Sequence, residues 1–107
     1  MAIEYEVIPP RKVGGTEIFD TRKAALKFAY LNMHSKYSVT IYKITKVKSK
    51  HPNYKWDIKS RELLADVKKS QGKPIVYIHS DRPNVFKVYR LNYKGEVGQL
   101  LYDSKRK

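Results

Sequence analysis

The sequence predicts an α+β fold, a mainly antiparallel sheet with two helices. Three observations predict it. Segments rich in β-branched residues and tyrosine, several alternating in polarity, recur along the chain. Apolar residues at helical spacing occur in two places only. Glycine and proline punctuate the joins between these segments. The resulting order is β-α-β-β-α-β-β-β. Its first six elements match a ferredoxin-like split β-α-β core, and the last two add a C-terminal hairpin.

Each element has a local reason. Ile3, Tyr5 and Val7 alternate with Glu4 and Glu6, which is strand periodicity, and Pro9-Pro10 ends the ladder. Residues 11–18, with Gly14-Gly15, read as a mobile loop. Asp20 is placed to cap a helix over 21–34, with Phe19 as a staple against Ala24. Ala24, Phe28 and Leu31 make its apolar row, with Ala25 and Ala29 beside them.

Ser38 to Lys48 reads as a strand with an ambiguous register. Val39, Ile41 and Val47 share one face, Tyr42 and Ile44 the other, and a bulge would accommodate both. A polar turn follows, and Tyr54, Trp56 and Ile58 alternate with Lys55 and Asp57 as a further strand. Leu63, Leu64 and Val67 mark the second helix, near 60–71. Ser60 stands at its cap, Lys68 and Lys69 at its C-terminal end, and Gly72 at its stop. Ile75 to His79 is a short strand. Asp81-Arg82-Pro83-Asn84 is a turn, and Val85–Tyr93 with Val97–Asp103 forms a hairpin around Lys94-Gly95-Glu96. The expected core is Tyr5, Phe28, Leu31, Ile41, Trp56, Leu64, Val67, Val76, Ile78 and Val88.

The 107 residues suit one domain spanning 1–107, with no repeat, linker or low-complexity tract. An apolar fraction of 41% is enough for a packed core without a metal or disulfide staple. There is no cysteine, which excludes disulfides, thiolate catalysis and Cys-ligated zinc, and fits a reducing, cytoplasmic setting. The first residues are acidic and alternating, unlike a signal peptide. No apolar run approaches the roughly 20 residues of a membrane span, so no membrane partner is expected.

The formal net charge is +13, and it is clustered. Residues 36–61 carry eight basic side chains against Asp57 alone, and the chain finishes with Lys105-Arg106-Lys107. Clustered lysines make a local field that evenly spread ones would not. Within that stretch the lysines interleave with Tyr37, Tyr42, Tyr54 and Trp56. Cations for phosphate beside aromatic planes for bases is the composition of a nucleic-acid surface. The alternative is a solvated lysine face over a buried aromatic one, although a solvated surface ordinarily mixes both signs. The expected contacts are Lys43, Lys46, Lys48, Lys50 and Lys55 around one turn, the tail Lys105, Arg106 and Lys107, and Tyr42 as the one stacking ring. Glu4 and Glu6 are expected on the open sheet face. Their charge argues against the sheet centre as a binding site of the RNA-recognition type.

No catalytic site, metal or cofactor is expected. His34, His51 and His79 are isolated and lack ligand spacing. Asp57-Ile58-Lys59 has the acid-x-lysine spacing of some metal-dependent nucleases but no second carboxylate in sequence. Gly14-Gly15 lacks the lysine of a phosphate loop. Small basic bacterial RNase toxins share this size and charge, yet none of their catalytic residues maps onto a position here. The expected partner is therefore DNA or RNA, bound with little sequence specificity. The rival is an acidic protein surface, met by a modulator or inhibitor of the phage or mobile-element kind. The oligomeric state is left open.

Overall fold

The computed structural model describes residues 2–9, 15–33, 37–50, 55–80 and 85–104. They form one seven-stranded sheet and one helix: β1 (Ala2–Ile8), β2 (Glu17–Phe19), α1 (Arg22–Asn32), β3 (Val39–Lys48), β4 (Trp56–Ser70), β5 (Lys73–His79), β6 (Phe86–Leu91) and β7 (Val97–Asp103). The strand order is β2-β1-β3-β4-β5-β6-β7. Every pairing is antiparallel. A ferredoxin-like core would need two crossover helices, each joining strands kept apart by a third strand between them. Here hairpin connections run from β3 to β7, and α1 alone crosses the sheet, from β2 to β3.

The expected second helix is the correction that overturns the two-helix architecture. Residues 60–70 lie inside β4, a 15-residue strand, and Gln71 lies in the turn that follows it. Ala65 pairs with Ile41 and Leu63 with Tyr42, so Leu64 is one residue too many for the ladder. A strand with an inserted residue changes phase. Apolar side chains at 63, 64 and 67 thereby imitate the spacing of a helical turn. Gly72 is not a helix stop. Gln71 at φ 52° and Gly72 at φ 78° form the two-residue turn that joins β4 to β5, and such turns match the twist of the strands they connect. Lys68 lies over the ring of Tyr77 at 5.2 Å rather than at a helix end.

Smaller differences have equally local causes. The loop expected over 11–18 includes β2, which pairs with β1 at the sheet edge; residues 10–14 lie outside the described set. The helix is capped by Thr21, not Asp20, because Thr21 Oγ1 accepts the Ala24 amide at 3.2 Å. The buried side of α1 is Ala25, Leu26 and Ala29, with two alanines allowing close approach to the sheet. Leu31 is 71% exposed. Phe28 sits at the margin and packs on Phe19, ring centroids 5.2 Å apart.

The main core lies between α1 and one face of the sheet. Val7, Val39, Ile41, Ala65, Val67, Val76 and Leu91 meet the three helix residues there. The opposite face carries Thr40, Tyr42, Ile44, Asp66, Tyr77 and Val88 by register. Among the described residues no helix covers that face, called the open face below. β5 pairs with β4 only from Ala65 onward, so the first half of β4 is held by β3 alone. β1 still flanks β3 as far as Lys46, so the first half of β4 is a sheet edge, and only the pairs Val47–Asp57 and Lys48–Trp56 run past both neighbouring strands; this end of β3 and β4 is called the ribbon below. At about 3.3 Å per residue a 15-residue strand spans about 50 Å, and the longest extent of the molecule is 50 Å. The radius of gyration, 14.9 Å, exceeds the roughly 13 Å of a compact chain of this length.

Candidate nucleic-acid interface

The ribbon is where the clustered charge resides. Strand alternation fixes which side each residue presents, and paired residues share a face. Lys46 pairs with Ile58 and Lys48 with Trp56, all four on the open face. A second register shift falls between Thr45 and Lys46, where Lys59 is the extra residue. Without that shift Asp57 would share the face of Lys46 and Lys48. With it, Asp57 pairs with Val47 on the helix side. The free face of the ribbon therefore presents two parallel rows, cations on β3 and apolar side chains on β4.

The apolar row is not core. Trp56 is 47% exposed and Ile58 is 62% exposed. The expectation that Trp56 is buried is corrected here. Alternation with polar residues does mark one face of a strand, but among the described residues no element covers that face where β4 is the edge of the sheet.

The two carboxylates of β1 are neutralised locally. Lys46 Nζ lies 2.9 Å from Glu4 Oε2. Arg61 donates through Nε to Glu6 Oε1 at 3.0 Å, and its Nη2 also reaches that oxygen. Hydrogen bonding to Glu6 raises the Arg61 pKa above its ordinary value, more than partial burial lowers it; the charge of Glu6 adds to the rise. The same guanidinium stands 4.0 Å over the Tyr42 ring. Glu4 and Glu6 are thus on the open face, as their alternation requires, but each meets a cation there.

Farther along the open face, Asp66 is held by both oxygens. Thr40 Oγ1 donates to Oδ1 at 2.9 Å, and His79 Nε2 lies 2.8 Å from Oδ2. Phe86 packs against Tyr77 and Tyr102 at 5.8 Å each and against His79 at 6.1 Å. On the helix side, Thr21, Lys23, Ala24, Lys27, Tyr93 and Lys94 line a separate open recess of about 420 Å³.

The expected contact residues divide among these places. Lys46, Lys48 and Tyr42 share the open face, with Tyr42 under Arg61. Lys43 pairs with Tyr5 and Glu62 on the helix side. Lys50 and Lys55 are exposed at the ribbon's far end, where the Ser49 amide donates to the Lys55 carbonyl at 3.1 Å. Lys105, Arg106, Lys107, Tyr54, His34 and His51 lie outside the described residues. Sequence reasoning missed Trp56, Ile58 and Arg61 as site residues. The signal was present for the first two, in their alternation beside lysines, but their exposure follows from the absence of a neighbouring strand.

Among the described residues no three His, Asp or Glu side chains are grouped to hold a metal ion. Nor is any helix there long and apolar enough to cross a membrane. No family model, no curated protein and no solved structure matches this chain.

Proposed function

We propose that the chain binds nucleic acid with little sequence preference, without catalysing a reaction on it, through the open face of the β3–β4 ribbon. The setting proposed is cytoplasmic. The observation that carries the reading is the pair of rows on the ribbon: Lys46 and Lys48 beside Trp56 and Ile58, on a face whose nearby carboxylates are already paired. The mechanism is counterion release, in which ammonium groups replace the cations condensed on phosphate. The Lys46–Glu4 pair still reaches solvent, with side chains 25% and 26% exposed, so a phosphate can compete with Glu4 for the ammonium.

Titration with labelled DNA and RNA at several salt concentrations tests this. With about five phosphates engaged, log K falls against log salt with a slope of roughly −4 to −5 on a duplex and roughly −3.5 on a single strand. Replacing Lys46, Lys48, Lys50 and Lys55 together by glutamine leaves the circular dichroism spectrum unchanged and makes the slope shallower by about 3. Should wild type bind neither DNA nor RNA at low salt but form a complex with an acidic protein that the quadruple variant loses, the partner is that protein. The exposed Leu100, Leu101 and Tyr102 of β7 would suit that second reading as added apolar contact.

A further inference from the structure

Resting on that reading, we infer that the ligand is single-stranded nucleic acid, and that Trp56 is the residue on which a base stacks. The two rows on the ribbon separate the two chemistries of a single strand. Lys46 and Lys48 are two residues apart on β3, about 6.6 Å at 3.3 Å per residue, the scale of one step along an extended phosphodiester backbone. Trp56 and Ile58 face them across the ribbon, with β-carbons about 5 Å away. A strand laid along the ribbon sets its phosphates over the lysine row and turns its bases over the apolar row.

A duplex uses this arrangement poorly. Its bases are already stacked on each other and show a protein only their edges, so the Trp56 ring would find no planar partner. A single strand offers free base faces, and stacking on an exposed aromatic is tolerant of sequence because every base has such a face. Tyr42 is not available for this role, because the Arg61 guanidinium already occupies a face of its ring. Trp56 has the largest aromatic plane of the ribbon's open face and stands beside Lys48. Its neighbour Ile58 extends the apolar floor under the adjoining nucleotide.

Trp56 is the only tryptophan in the chain, so its emission reports on the site directly. The probes are an unstructured oligothymidylate and oligouridylate of about twelve nucleotides and a DNA duplex of equal length. The single strands are expected to quench Trp56 and to bind at least tenfold more tightly than the duplex at about 0.15 M salt. Measured by anisotropy of a labelled oligonucleotide, Trp56→Ala weakens single-strand binding on the order of tenfold, while Trp56→Phe retains most of it. Both variants keep the wild-type melting midpoint, since the side chain is exposed. A duplex that binds as tightly as the single strand, or single-strand binding with unchanged Trp56 emission and no effect of Trp56→Ala, overturns the inference and leaves the nucleic-acid reading standing. Absence of binding to every probe overturns both.

Discussion

At the scale of single residues, Gly95 shows how tightly the turn between β6 and β7 is seated. It has φ +81°, and a β-carbon there would stand 2.5 Å from the Lys23 carbonyl oxygen and 2.9 Å from the Lys27 amide nitrogen. The turn lies directly on the backbone of α1, closed by the Gly95 amide donating to the Asn92 carbonyl at 3.0 Å. Gly95→Ala is therefore expected to cost roughly 2–3 kcal/mol, from backbone strain and from lifting the turn off the helix. Thermal unfolding checks it, with a midpoint lower by about 10 °C or more. Ile41 is fully buried in the centre of the helix-side core. Ile41→Val is expected to lose about 1 kcal/mol and Ile41→Ala about 2–5 kcal/mol in denaturant titration. Arg61 lies half exposed on the other face, joined to Glu6 and stacked on Tyr42. Arg61→Lys keeps the charge but loses the planar stack and the forked hydrogen bonds. Its effect on stability is small, because an exposed pair contributes little.

At the scale of elements, β4 decides both the fold and the site. Its two inserted residues act as phase switches. The one at Leu64 moves Leu63 and Arg61 to the open face, where Arg61 meets Glu6. The one at Lys59 moves Ile58 and Trp56 to the same face and turns Asp57 away. With the insertion at Leu64 alone, Asp57 would stand among the lysines. β4 is also unevenly supported, since β5 pairs with residues 65–70 and not with 56–64. Among the described residues, amides in the first half of β4 that point away from β3 have no ladder partner. They are expected to exchange with solvent much faster than the amides of Ala65, Val67 and Lys69, and hydrogen exchange read by NMR distinguishes the two halves. The second helix was legible as an apolar cluster but not as a strand, because a bulge and a helical turn place apolar residues at the same sequence spacing.

At the scale of the whole molecule, an open sheet with a net charge of +13 faces two problems, unpaired edges and self-repulsion. The edges are managed by irregularity. β2 has three residues, and β7 carries two register shifts against β6; short or bulged edge strands resist pairing with another sheet. The self-repulsion remains, because the ion pairs seen on the sheet use only a few of the cations. Added salt screens it. The melting midpoint is therefore expected to rise by a few degrees between about 0.02 and 0.3 M salt, while nucleic-acid affinity falls over the same range. A calorimetric scan and a binding titration, run in the same buffers, check the opposite signs.

Some of this protein is determined by local sequence. Alternation settles β1, with Val7 inward and Glu4 and Glu6 outward. β-branched density settles β3, helical spacing settles α1, though not which residue caps it, and a glycine turn settles the β6–β7 hairpin. The clustering of charge is likewise a property of the sequence alone. Tertiary structure decided the rest. Whether Leu63, Leu64 and Val67 belong to a helix or a bulged strand depends on β3, which supplies the ladder that β4 joins. Whether Trp56 is core or surface depends on how far β5 runs, since a strand face is buried only where something packs on it. And which lysines stand together depends on register: Lys43 and Lys46 lie three residues apart in the chain and on opposite faces of the sheet, because the side chains of a strand alternate.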